Sequence, residues 1–158
     1  VLAGLALLAE WQEDVGLRRA VEGLPEAFAQ ALRLDWSALS DRLSRAQSLY
    51  VLGRGPAFAI ANEVALKFKE TCGLHAESFS AAEVLHGPSA IVQAGFPVLA
   101  LGVDDAALPR LTETATRLAA QGADVCLTGA DVPGATRLPS LPGLHHLCAP
   151  LVLAVSFY

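Results

Sequence analysis

Three charged residues at helical spacing are the strongest candidates for chemistry in this sequence. Glu63, Lys67 and Glu70 stand at i, i+4 and i+7 within an apolar pattern of helical period, so they share one stripe of a helix. An ammonium group beside a carboxylate favours the ionised carboxylate, which is the form that takes a proton from carbon. The same spacing is also typical of an ion pair on a solvated helix face, so both interpretations stay open on spacing alone.

His86 is the second candidate for proton transfer. Gly87 and Pro88 follow it and end a short helix, which leaves the ring at a terminus. Histidine titrates near neutral pH and can act as a proton shuttle, or it can simply bond the last carbonyls of its helix. A metal site of His86 with nearby residues is conceivable, but the gaps match no metal-binding pattern. Those neighbours are His75, Glu77 and Glu83.

A glycine turn precedes the charged helix. Gly53, Arg54 and Gly55 join a short apolar run to that helix, where glycine permits close backbone approach and free N–H groups can hold an anion. The same pattern is typical of a plain tight βα turn, so both interpretations stay open on the turn alone. We predict these three residues, with Glu63, as the substrate-binding residues. A dinucleotide fingerprint needs a small residue where Phe58 stands, which disfavours a nicotinamide cofactor.

The elements that must position these residues alternate between strand and helix from Ser48 onward. This order predicts an α/β fold with a parallel sheet flanked by helices on both faces. Strands are expected near 49–52, 75–79, 96–101, 124–128 and 144–147, and helices near 57–72, 81–85, 104–120 and at the chain end. Residues 1–46 predict three helices, at 1–15, 17–34 and 37–46. In such sheets ligands bind beyond the carboxyl ends of the strands, here at the turns 53–55 and 102–105.

The composition sets limits on function. The 158 residues are 53% hydrophobic with a net charge of −5, which indicates a folded domain and argues against nucleic acid as a partner. Three cysteines are too few for a disulfide scaffold and fit a reducing cytoplasm. We expect no membrane span. The absence of Met and the apolar run up to Tyr158 suggest a piece of a longer chain. Its only two lysines are Lys67 and Lys69, so any lysine chemistry lies there.

Several spaced blocks together resemble the second sugar isomerase (SIS) domain of the glucosamine-6-phosphate synthase isomerase module and its deaminase-like relatives. The blocks are VLGRGP at 51–56, ANEVALKFKE at 61–70, HAE at 75–77 and EVLHGP at 83–88. The resemblance covers roughly Ser48 to the end. It implies a flavodoxin-like three-layer αβα domain at 47–158, truncated at its end, after a helical interdomain segment at 1–46.

The resemblance also implies a reaction. The enzyme would be a phosphosugar isomerase or deaminase that acts on glucosamine 6-phosphate or fructose 6-phosphate, without metal or organic cofactor. Glu70 would move a proton between C1 and C2, Lys67 would line the site, and His86 would help open the sugar ring, often in the neighbouring subunit's site. Partners would be a phosphosugar, an upstream SIS domain of the same chain and a second copy in a homodimer.

Some features of the family are missing from this sequence. Nothing matches the Ser/Thr-rich phosphate loops of the first SIS domain, the tail lysine that forms a Schiff base, or a glutaminase domain. A non-catalytic regulatory module that binds a sugar phosphate therefore remains the alternative function.

Overall fold

The fold is built on a five-stranded parallel sheet in the order β2-β1-β3-β4-β5. We describe it from a computed structural model that covers all 158 residues. The strands are β1 (Ser48–Gly53), β2 (His75–Ser80), β3 (Pro97–Ala100), β4 (Asp124–Leu127) and β5 (Thr136–Arg137). The helices are α1 (Leu2–Trp11), α2 (Val15–Glu22), α3 (Leu24–Ala31), α4 (Ser37–Leu43), α5 (Pro56–Cys72), α6 (Leu108–Ala120) and α7 (Ala149–Phe157). Two 3-10 turns lie at Glu83–His86 and Pro88–Ile91.

Strand β1 lies inside the sheet between β2 and β3, is buried on both faces and contributes to two hydrophobic cores. Because successive side chains of a strand point to opposite faces, Leu49 and Val51 join one core while Tyr50 and Leu52 join the other. The first core contains residues of α4, α5 and α7, and the second contains residues of α6 and the first 3-10 turn. This arrangement confirms the predicted three-layer α/β fold.

Helix α5 approaches β1 very closely where the two elements meet. A Cβ atom on Gly53 would lie 2.7 Å from the Ala57 carbonyl oxygen and 2.8 Å from the Phe58 Cα, so only glycine fits. At the other end, Gly73 adopts φ 62° and the helix stops there, as the sequence predicts. The glycine turn therefore has a packing role in addition to any role in binding.

The N-terminal region contains four helices rather than three. The segment predicted as helical at 17–34 is two helices. Gly23 caps the second of them with Pro25 in its first turn, as the positions of Gly23 and Pro25 in the sequence predict. Helices α1, α2, α3 and α7 share a third, smaller apolar cluster. None of the helices is long and apolar enough to cross a membrane.

Two other expectations are corrected. Residues 144–147 form no strand, and the last strand is the two-residue β5, which lies between Gly134 and Pro139 and is too short to leave a pattern. The short helix expected at 81–85 is a 3-10 turn that ends at Gly87, whose φ of 146° is closed to most side chains.

Gly53 provides a direct test of this packing. Gly53→Ala would press a methyl group into the backbone of α5, so we expect a loss of about 2–3 kcal/mol in the free energy of unfolding. The matched control is Gly23→Ala, since a Cβ there has ordinary contacts of 3.4 Å and longer. We expect the control to cost less than about 1 kcal/mol in chemical unfolding. Equal losses in the two variants would contradict the close-packing account.

Candidate active site

The charged stripe of α5 forms a connected ion-pair cluster. The Lys67 ammonium donates to Glu70 Oε2 at 2.7 Å and lies 3.6 Å from Glu63 Oε1. The Lys67 side chain is 26% exposed, while those of Glu63 and Glu70 are 43% and 49% exposed. The lysine side chain is thus less exposed than the two carboxylates that it pairs with, and both carboxylates are accessible to solvent. This geometry confirms the shared helix face that the spacing predicts.

The electrostatics of the cluster keep the lysine charged. The hydrogen bond to Glu70 raises the pKa of Lys67, and the charges of Glu70 and Glu63 add to that effect against partial desolvation. Lys67 is therefore a fixed positive charge at neutral pH. It orients Glu70 and offers a counter-charge to any anion that forms beside that carboxylate.

Tyr158 completes the cluster, and sequence reasoning missed it. Its hydroxyl donates to Glu63 Oε1 at 3.2 Å across 95 residues of sequence. Desolvation and the hydrogen bond to Glu63 raise the pKa of the Tyr158 hydroxyl. The end of α7 is held over α5 because the Phe157 ring packs edge-on against Phe68, with centroids 5.1 Å apart. Only the apolar pattern of the last helix hinted at such a contact.

A groove of about 880 Å³ adjoins the cluster. Its walls come from α4, the carboxyl-terminal part of α5 and the end of α7, and it is lined by Lys67, Thr71, Cys72, Trp36 and Tyr158 among others. Cys72 is exposed, whereas Cys126 and Cys148 are buried. The groove is large enough for a small polar ligand beside the ion-pair cluster.

His86 does not join this cluster within one chain. Its 3-10 turn buries Val84 in the core with Tyr50 and Leu52, on the sheet face opposite α5. The following turn is anchored to the same face, because the Tyr50 hydroxyl donates to the Pro88 carbonyl at 3.1 Å. The ring of His86 is exposed. The sheet therefore separates His86 from Glu70.

The glycine turn also lies away from the cluster. Gly53, Arg54 and Gly55 stand at the amino end of α5, and Glu70 follows Pro56 by fourteen residues, which is about 21 Å along a helix. Arg54 and Gly55 line a separate shallow cleft of about 400 Å³, together with Ser80 at the end of β2 and Ala106 and Ala107 before α6. Of the four expected substrate-binding residues, only Glu63 lies beside Glu70 and Lys67.

A carboxylate lies next to the glycine turn. Asp105 Oδ1 accepts a hydrogen bond from the Ala107 amide at 2.8 Å, and its Oδ2 lies 3.4 Å from where a Cβ of Gly55 would be. The carboxylate of Asp105 opposes a phosphate beside Gly55, whereas the guanidinium of Arg54, which lines the cleft, attracts one. Elsewhere, His75 bonds Ser48, and no group of three or more His, Cys, Asp or Glu side chains is arranged to hold a metal ion.

Comparisons with known proteins identify the family to which the chain is similar. The family model of the SIS domain matches residues 42–130. A glutamine–fructose-6-phosphate aminotransferase (isomerizing) from Agrobacterium fabrum is 34% identical over 98% of the chain. The chain spans only 28% of the length of that enzyme.

Two solved structures are also similar to this chain. A candidate phosphosugar isomerase from Silicibacter pomeroyi is 52% identical with a TM-score of 0.93, over 99% of this chain and 48% of that one. The C-terminal domain of glucosamine-fructose-6-phosphate aminotransferase from Francisella tularensis is 28% identical with a TM-score of 0.80, over 91% of this chain and 44% of that one.

The Lys67 ion pair can be tested by titration. We expect NMR to give Lys67 a pKa above its usual 10.5, and Glu70→Gln to lower it by removing the first partner. Because the folded-state pKa is raised, the pair stabilises the fold below the unfolded value and is lost as pH rises through the folded value. The control is Glu113→Gln, which removes an exposed i,i+3 pair with Arg110 on α6. A Lys67 pKa equally unchanged in both variants would contradict the assignment.

Proposed function

The chain belongs to the SIS domain family, and we propose that it is the proton-transferring half of a phosphosugar isomerase or deaminase. Its substrate would be glucosamine 6-phosphate or fructose 6-phosphate. The observation that carries the proposal is the ion-pair cluster on α5, in which Lys67 holds Glu70 at 2.7 Å beside an open groove. The similarity to the aminotransferase C-terminal domain supports the substrate class.

Glu70 is the base in this proposal. Conversion between an aldose and a ketose moves a proton between C1 and C2 of the open-chain sugar, and one carboxylate can remove it from one carbon and return it to the other. Glu70 suits this task because the Lys67 ammonium holds its carboxylate at 2.7 Å and its side chain is 49% exposed to an incoming substrate.

Lys67 and Glu63 support that base. Removal of the proton leaves negative charge on the sugar oxygens, and a fixed ammonium beside the carboxylate stabilises that charge as it develops. Glu63 approaches the same ammonium from the other side at 3.6 Å, so Lys67 is held between two carboxylates. We assign Lys67 to the site as an electrostatic group and Glu63 to its positioning and to substrate binding.

His86 would serve the site of a second subunit. It lies on the sheet face opposite α5, so a site with both Glu70 and His86 needs two copies of the chain. Ring opening requires a group that exchanges a proton with the ring oxygen, and an exposed imidazole can do so. We therefore propose a homodimer in which each site combines the Glu70 of one subunit with the His86 of the other.

The phosphate would be held by another domain of the same polypeptide. The carboxylate of Asp105 lies next to Gly55, and the matched structures are about twice as long as this chain. We propose that this chain is the second of two SIS domains and that the upstream one binds the phosphate. The three free cysteines are consistent with a cytoplasmic protein.

The Glu70 proposal is tested with the full-length protein. We expect Glu70→Gln to reduce the release of ammonia and ketose from glucosamine 6-phosphate, and the exchange of the C2 proton with solvent, by about 10²–10³-fold. The amide keeps the shape of the side chain but removes the base, so phosphosugar binding measured by calorimetry should persist.

Glu113→Gln is the matched control for this experiment and should keep wild-type turnover. Unchanged turnover in Glu70→Gln would contradict the role of Glu70. Tight phosphosugar binding by the wild-type protein with no turnover at all would instead support the non-catalytic regulatory module.

The shared-site proposal predicts complementation. When Glu70→Gln and His86→Ala subunits are mixed and reassociated, half of the dimers are hybrids, and each hybrid has one intact site. We therefore expect about a quarter of the wild-type activity from a mixture in which each variant alone is nearly inactive. A mixture that stays inactive, although mass spectrometry shows hybrid dimers, would place both residues in sites that do not cross subunits.

A further inference from the structure

Helix α1 is apolar except for Glu10, yet one of its apolar faces is exposed. Ala9 is buried and Leu5 and Leu8 are partly buried in the small N-terminal cluster. The opposite face, which we call the outer face of α1, consists of Gly4, Leu7 and Trp11 at i, i+3 and i+7. Leu7 is 69% exposed and Trp11 is 82% exposed. A helix that is apolar all round is normally buried all round.

Helix α7 is a second apolar helix of this protein, and it is covered on both sides. Apart from Ser156, its residues Ala149–Phe157 are as uniformly apolar as Leu2–Ala9 of α1. It packs against α5 on one side and α3 on the other, so both of its sides are covered. Helix α7 completes the helical layer that α5 forms on one face of the sheet, and we call a helix in this position a closing helix. Helix α1 has the composition of a closing helix, but its outer face is exposed in this chain.

We propose that the outer face of α1 packs into a preceding domain of the same polypeptide, as a closing helix like α7. The occupant is the polypeptide upstream of residue 1. The matched S. pomeroyi and F. tularensis chains are about twice as long as this one, which leaves room for a second domain of similar size. Gly4 supports close packing, since a Cβ there would meet nothing within 4 Å and the backbone is open to a neighbour.

The chemistry of α1 disfavours a membrane surface as the occupant. Helices that lie in a lipid interface carry lysine or arginine on a polar face, whereas the only charged residue of α1 is Glu10. That glutamate is already paired with Arg18 at 2.7 and 2.9 Å. At ten residues, α1 is also far too short to span a bilayer.

This placement moves the domain boundary. Residues 1–46 are expected from sequence to form one interdomain segment. With α1 in the preceding domain, the junction falls at residues 12–14, and α2–α4 belong to the domain of the sheet. The proposal concerns packing alone, so it stands or falls independently of the chemistry at Glu70.

Hydroxyl-radical footprinting of the full-length wild-type protein tests the placement. Leu7 and Leu32 are a matched pair, because they are the same residue type and are 69% and 71% exposed in this chain. We expect Leu7 to be oxidised at least fivefold more slowly than Leu32, and Trp11 to be protected as well. The protection should not change when the protein is diluted, because the covering domain is covalently attached.

Two results would overturn the proposal. Equal oxidation of Leu7 and Leu32 would show that the outer face is bare in the full chain, and protection that disappears on dilution would assign the face to a second copy. A variant pair gives an independent measurement. Leu7→Asp should lower the Tm of the full-length protein by several degrees, whereas Leu32→Asp should leave it nearly unchanged; equal shifts would count against the proposal.

Discussion

The close packing of α5 on the interior strand β1 is the constraint on which the candidate site depends. Because Gly53 lets the backbone of α5 come within contact distance of β1, the apolar arc of the helix is fixed against Leu49 and Val51. The rotation of the helix is then set, and Glu63, Lys67 and Glu70 must emerge at the border of that arc. The glycine turn thus positions the charged cluster from about 21 Å away.

The same constraint divides the functional residues among three places. A parallel sheet with crossover helices puts the start of α5 at the carboxyl edge and its end at the amino edge, and alternation along β1 puts His86 on the far face. One chain therefore presents the proposed base Glu70, the proposed ring-opening residue His86 and the glycine turn at three places that do not meet. A catalytic site made from these residues has to be assembled from more than one domain or subunit, which is why the proposed function includes both.

Much of this could be predicted from local sequence signals. The bounds of α5 follow from the strand before it, Pro56 at its start and Gly73 at its end, and the face of Glu70 follows from the 3.6-residue period. The contact of Tyr158 with Glu63 could not be predicted, because it depends on how α7 crosses α5, which no local pattern encodes. Strand β5 was missed for another reason: two residues are too few to show alternation, and their place in the sheet is fixed by pairing with β4.

The geometry at position 67 explains why one of the two lysines of this chain stands there. Lys67 lies between carboxylates at i−4 and i+3, and a compact ammonium with three donors can face both of them at once. A guanidinium prefers a planar, two-pronged bond to one carboxylate, so it would pair with Glu70 or Glu63 and displace the other. In a chain with nine arginines, the geometry at position 67 therefore favours lysine. Lys69 is exposed and points away from the stripe, so the same argument does not reach it.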